Sequence, residues 1–243
     1  LDREITDKVC RAVVDAGLSL ANSSMTVGTY GNISCRVDEN TIAITPSGRD
    51  YEQLTPSDIV IVNMEGAVLE MGDPNERKTV DTGADAKGSA VPLRPSSELS
   101  LHLAIYRHFP EARAIVHTHS IYASALAAAH KDLPAIVEDL TQIVGGGVRC
   151  TEYTLAGTEE LGRRAVEAME GGRSAALLAN HGAVCWGRNM KEALTTAEIL
   201  EKGAQIYCIA HSFGTPFPLN DKIARTLHEF YLKHYSKRQR GEE

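Results

Sequence analysis

Ala112-Arg113-Ala114-Ile115-Val116-His117-Thr118-His119 is a run of small and β-branched residues that ends in two histidines. This composition predicts a β-strand. Strand side chains alternate between faces, so residues at i and i+2 share one. His117 and His119 therefore project together, about 6–7 Å apart at the backbone. That separation lets two imidazoles converge on one metal ion. Further along, Ala175–Gly182 (AALLANHG) is an apolar strand ending in a turn that carries His181. Three histidines with one coordination position left open are the pattern of a catalytic zinc site, not a closed structural one. An isolated H-x-H also arises from two half-buried histidines, so the other segments decide the reading.

The chain bounds what those segments can do. Its 243 residues can bury one sizeable core, and a single domain over residues 1–243 is expected. Hydrophobic content of 43% and charged content of 23% are ordinary for a soluble globular protein. A formal charge of −7 argues against nucleic acid as a partner. No apolar run reaches the roughly 20 residues that span a bilayer, so no membrane partner is expected. The N-terminus shows no signal-peptide pattern. Five scattered cysteines (Cys10, Cys35, Cys150, Cys185 and Cys208) lack C-x-x-C spacing and read as reduced core residues of a cytoplasmic protein.

Periodicity places helices over Ile5–Ala21, Ser97–His108, Ile121–Ala129, Thr158–Glu170, Met190–Ser212 and Asn220–Tyr235. Thr6 or Asp7 is the expected cap of the first helix. Strands are expected over Asn32–Val37, Thr41–Thr45, Asp58–Asn63, Val148–Glu152, Ser174–Ala179 and Ala183–Gly187, with a hairpin turn at Asp38-Glu39-Asn40. The fold class is α/β: a layered domain with a mainly antiparallel central sheet flanked by helices. Gly72–Leu93 departs from this order. It is polar and aperiodic, and reads either as a cover over the site or as a surface insertion.

Three segments have the look of an anion site. Gly31-Asn32-Ile33-Ser34 offers close backbone approach and side-chain donors. Thr45-Pro46-Ser47-Gly48 can form a nest of N–H groups and hydroxyls. Ser96 and Ser97 stand at a helix start, where free N–H groups and the dipole favour phosphate. Each alone is also an ordinary turn or cap. Glu98 either favours the helix start or, beside a metal, serves as a ligand that yields to substrate and then acts as a base. Together these parts imply a metal that polarises a carbonyl and stabilises an enediolate while a donor cluster orients a phosphate. Retro-aldol cleavage of a phosphorylated ketose fits that logic, as do epimerisation, dehydration and decarboxylation.

Thr29–Ser34 (TYGNIS), Ile44–Gly48 (ITPSG), Arg94–Glu98 (RPSSE), Val116–His119 (VHTH) and Asn180–Gly182 (NHG) together resemble the class II aldolase/adducin family, from about Ile5 to Leu219. The resemblance implies Zn2+, or alternatively Mn2+, Co2+ or another divalent cation, on His117, His119 and His181, with Glu98 as ligand and acid/base. It implies phosphate binding by Gly31, Asn32, Ser47, Gly48, Ser96 and Ser97. It further implies a phosphorylated sugar substrate and a homotetramer with active sites at subunit interfaces. The expected activity is that of a metal-dependent aldolase, cleaving a ketose 1-phosphate to dihydroxyacetone phosphate and an aldehyde. Adducin-like members lack the catalytic set that this chain retains.

Two departures qualify the match. Aldolases of the family carry a Tyr after a Pro-Ala segment; here Pro134-Ala135 is followed by Glu138 at that position. Glu138 is thus the replacement acid, a mark of a sugar-phosphate dehydratase or oxo-acid phosphate decarboxylase, or a surface carboxylate. Epimerases of the family carry His-Ala-Asp in this region, which Leu140-Thr141-Gln142 does not match. The other departure is the Gly72–Leu93 insertion. Some members also use a C-terminal Tyr, for which Tyr231 and Tyr235 are the candidates.

Overall fold

A computed structural model describes residues 2–70 and 93–241. In chain order its elements begin with α1 (Arg3–Asn22), β1 (Asn32–Asp38), β2 (Thr41–Ile44), β3 (Val60–Asn63) and β4 (Val68–Glu70). Next come α2 (Leu99–His108), β5 (Ala114–Thr118), α3 (Ile121–Ala128), α4 (Glu138–Val144), β6 (Arg149–Cys150) and α5 (Glu159–Met169). The chain closes with β7 (Ala175–Leu178), β8 (Gly182–Gly187), α6 (Met190–Phe213), α7 (Asp221–Phe230), a π-helical turn (Tyr231–Tyr235) and α8 (Ser236–Arg240). The Gly72–Leu93 reading lies, but for Leu93, outside the described residues.

The eight strands form one sheet in the order β4-β3-β2-β1-β5-β8-β7-β6. Every pairing is antiparallel except β6 with β7. The expected α/β architecture with a mainly antiparallel sheet is therefore what forms. Strand alternation splits the core in two. Ile33, Ala43, Val116 and Cys185 face one layer, containing residues of α1, α3 and α6. Ile42, Ile44, Ile115, Val184 and Trp186 face the other, containing residues of α2 and α5. Both faces are covered, so the central strands are buried throughout.

Several boundaries move for local physical reasons. Asp2, not Thr6 or Asp7, caps α1, accepting from the N–H groups of Glu4 and Ile5. Asp58 sits in a 3-10 turn, and β3 begins only at Val60. The helix expected from Ser97 starts at Leu99, with Glu98 as its N-cap.

Candidate metal centre

β5 is the middle of the three adjacent strands that build the site. Its neighbours are β1, where Asn32 pairs with His117, and β8, where Val184 pairs with His117. Close approach on both sides depends on glycine. Gly31 has φ +77°, and a Cβ there would lie 2.7 Å from the His117 carbonyl oxygen. A Cβ on Gly182 would collide with the Thr118 carbonyl. Asn180, just before His181, takes a left-handed φ of +55°, and its amide oxygen is 2.5 Å from His130 Nε2. This turn swings His181 back over the end of β5.

The three imidazoles meet. His117 and His119 bring their Nε2 atoms to 3.0 Å. His181 packs edge-on against both, with ring centroids at 4.7 and 5.0 Å. One nitrogen from each ring lies within 4.8 Å of the others. Glu98 closes the group, with Oε2 at 3.1 Å from His117 Nε2 and Oε1 at 3.4 Å from His181 Nε2. His119 stands one residue beyond the end of β5, yet the shared-face geometry persists through it.

Does this set fit a cation? His117 Nδ1 is 2.9 Å from the Ala183 carbonyl oxygen. A carbonyl can only accept, so Nδ1 carries the proton and Nε2 of the neutral ring points a lone pair inward. That lone pair faces a carboxylate oxygen and another imidazole nitrogen, an arrangement that a shared cation relieves. Glu98 Oε1 is buried with no hydrogen-bond donor among the described residues. Burial opposes ionisation of Glu98. The facing His117 and His181 rings and the hydrogen bond from Asn32 outweigh burial and hold the carboxyl well below the usual carboxylate range. Burial also depresses His119 and His181, each to about 4, which keeps their nitrogens free to bind metal at neutral pH. The donor set fits a divalent ion of borderline softness.

The three anion-site segments converge beside this group. Thr45 N–H donates to Ile33 O, and Thr45 Oγ1 accepts from Ile33 N–H. Ser96 N–H donates to Thr45 O, and Ser47 N–H donates to Arg94 O, so Pro46 and Pro95 form a bridge. The Thr45–Gly48 and Arg94–Glu98 loops thus run side by side. The backbone N–H of Ser47 is engaged there, whereas its side chain and Gly48 are exposed. Gly48 has φ +68° and open space around it. Ser96 is buried, its Oγ accepting from Glu98 N–H, and Ser97 is exposed. Asn32 is buried and donates through Nδ2 to Glu98 Oε2 at 2.8 Å.

Glu138 is not brought to the cluster. It is exposed at the first turn of α4, and the cluster's contacts do not include it. Tyr231 is buried and donates to Glu192 Oε1 at 3.3 Å, whereas Tyr235 is half exposed. Sequence reasoning missed His102, Tyr106 and Arg36. His102 is fully buried, 2.5 Å from Asn32 Oδ1 and 2.6 Å from Ser34 Oγ. The signal was present as matched spacing. Glu98, His102 and Tyr106 recur every four residues on a helix, and Asn32, Ser34 and Arg36 every two on a strand. Those repeats advance about 6 Å and about 6.6 Å, so the two rows stay in step.

Residues 11–208 match the family described as Class II Aldolase and Adducin N-terminal domain. The chain is 40% identical over 205 residues to a 5-deoxy-D-ribulose 1-phosphate aldolase of Bacillus thuringiensis serovar kurstaki, covering 84% of this chain and 86% of that one. It is 33% identical over 219 residues to a 5-methylthioribulose-1-phosphate/5-deoxyribulose-1-phosphate aldolase of Rhodospirillum rubrum, covering 90% and 89%. A solved L-fuculose 1-phosphate aldolase superposes with a TM-score of 0.81 at 34% identity, over 93% of this chain and 96% of that one.

Proposed function

The chain belongs to the class II aldolase and adducin family, and on that premise we propose that it is a zinc-dependent aldolase. Its reaction is cleavage of a ketose 1-phosphate to dihydroxyacetone phosphate and an aldehyde. The observation that carries this reading is the meeting of His117, His119, His181 and Glu98 beside the paired Thr45–Gly48 and Arg94–Glu98 loops. A non-catalytic module has no use for a carboxylate buried against three imidazoles, which costs desolvation without a compensating task.

A divalent ion on His117, His119 and His181 would supply Lewis-acid polarisation of the C2 carbonyl and stabilise the charge that builds as the C3–C4 bond breaks. The chain's own residues do the rest. Ser47, Gly48, Ser96, Ser97 and Gly31 hold the phosphate, and Asn32 contributes the N–H that Glu98 leaves unused. Cleavage removes a proton from the C4 hydroxyl and delivers one to C3. Glu98 and Glu138 are the carboxylates that carry these protons, Glu138 reaching the site from a neighbouring subunit of a homotetramer. Large exposed apolar side chains, Phe213 and Phe217 among them, suit such an assembly. The five free cysteines suit a reducing cytoplasm.

Relatives named for 5-deoxy and 5-methylthio pentulose 1-phosphates make these the first substrates to try. The test is release of dihydroxyacetone phosphate from a panel of ketose 1-phosphates, with and without EDTA. Release that EDTA abolishes and zinc restores is the expected result. A metal-loaded protein that is silent on the whole panel overturns the aldolase assignment, and assays for water loss and carbon dioxide then follow.

A further inference from the structure

Asn32, Ser34 and Arg36 are polar residues of β1 that the sheet buries, facing α2. They interlock with the α2 row. Asn32 joins Glu98 at 2.8 Å and His102 at 2.5 Å. Ser34 joins His102 at 2.6 Å and the Tyr106 hydroxyl at 2.9 Å. The Arg36 guanidinium donates to the Tyr106 carbonyl at 2.6 Å and lies 4.7 Å from the Tyr106 ring centre. Nothing in the proposed chemistry uses His102, although it is a fully buried imidazole joined to this row.

The donor directions have one consistent solution. A carboxylate only accepts, so Asn32 turns its NH2 toward Glu98 and its Oδ1 toward His102. Oδ1 also only accepts, so His102 Nε2 carries the proton. A neutral ring then leaves Nδ1 bare, to accept from the Ser34 hydroxyl. Ser34 in turn accepts from Tyr106. Both His102 nitrogens and the Ser34 and Tyr106 hydroxyls are partnered in this arrangement, and a partnered buried network favours one geometry.

We propose that His102 is a positioning residue: as the neutral Nε2–H tautomer it fixes the Asn32 amide, and Asn32 then fixes the Glu98 carboxylate against the three histidines. Burial, reinforced by His117, holds the ring pKa down at about 3, so the tautomer persists across the working pH range. Without the Nε2–H, Asn32 Oδ1 loses its donor and the amide is held only through its contact with Glu98. The Asn32–Glu98 pair is then free to shift together, and the carboxylate loses its fixed placement. The consequence for turnover rests on the aldolase reading, whereas the tautomer and its geometry do not.

The test has two arms. The first compares His102→Phe, which keeps the ring and removes both polar contacts, with His102→Gln, whose amide N–H can replace Nε2–H toward Asn32. With zinc content per chain unchanged, His102→Phe lowers kcat about 10–100-fold, as outer-shell partners of metal sites do. KM shifts less than about threefold, because the lost interaction belongs to the transition state, and His102→Gln recovers most of the loss. Wild-type turnover in His102→Phe, or equal losses in the two variants, overturns the proposal. The second arm is 15N NMR of imidazoles in the wild-type protein, with His102→Gln assigning the resonance. Protonated Nε2 and bare Nδ1 are expected; a proton on Nδ1 overturns the proposal even if His102→Phe fails to fold. A wild type inactive on every ketose phosphate sinks the aldolase reading and leaves the spectrum to judge His102.

Discussion

An imidazole buried without charge makes its cost visible in acid. His102 faces Asn32 and Ser34 of β1 and stands one turn before Tyr106 on α2. Burial first, then His117, lowers its pKa from 6.5 to about 3, while Glu98 acts to raise it. Between those values the unfolded chain binds a proton here and the native chain does not. Stability from this group is therefore complete above the unfolded pKa and is lost as pH falls through the window. The slope is on the order of 1 kcal/mol per pH unit. His119 and His181 add to the same acid sensitivity, but equally in wild type and variant. Urea melts of His102→Gln between about pH 5 and 6.5 should show a slope shallower by about one proton; identical slopes would mean that His102 titrates normally. The residue scale is also where the sequence was hardest to read. Alternation marks Asn32, Ser34 and Arg36 as a polar face and does not say that a helix covers it. The histidines and Glu98 were legible because they fall in several separate motifs that agree, an isolated H-x-H being ambiguous by itself.

Elements carry His119 differently from His117. His117 lies within β5, clamped on both edges by neighbouring strands. His119 lies between β5 and α3, and its N–H donates to the Met25 carbonyl. The start of α3 then fixes its outgoing backbone. Ser120, the N-cap, supplies no side-chain bond. Glu201 of α6 does so instead, its two oxygens each accepting at 2.9 Å from the N–H groups of Tyr122 and Ala123. A carboxylate at a helix N-terminus also meets the favourable end of the dipole. Glu201→Ala should cost about 1–2 kcal/mol of stability and weaken zinc binding by loosening His119, while Glu201→Gln retains part of both. Chemical denaturation and a competitive zinc titration check this, and unchanged zinc affinity would separate α3 capping from the site. Long periodic helices and the β1–β2 hairpin were readable from local pattern. Three-residue β4 and seven-residue α4 are too short for periodicity to rise above noise. The α3 cap comes from a residue 79 positions away, so no local signal exists for it.

At the scale of the whole molecule, the site of one chain is open on the side where Tyr30 stands, 65% exposed, against His119. Phe213 and Phe217, at 87% and 91% exposure, are costly to leave in water. In the proposed homotetramer a neighbouring subunit would cover them. In a closed ring one subunit's metal cluster can take Glu138 from the next. Tyr235 is the C-terminal tyrosine able to reach outward as well, because Tyr231 is committed to Glu192. Sequence order contains no information about which subunit supplies a side chain, so Glu138 was a candidate only by its place after Pro134-Ala135. A mixing experiment reads the arrangement directly. Glu138→Gln should keep its zinc and lose most turnover, and His119→Ala should lose both zinc and turnover while staying folded. Each variant is then inactive alone for a different reason. Co-assembled from equal parts, about one site in four pairs an intact cluster with an intact Glu138 if the two come from adjacent subunits. Recovery of turnover toward that fraction, tracked against assembly by sedimentation, would establish an interfacial Glu138. If both residues served one site within a single chain, no mixture of the two variants could contain a complete site, and activity would stay at the level of the separate variants.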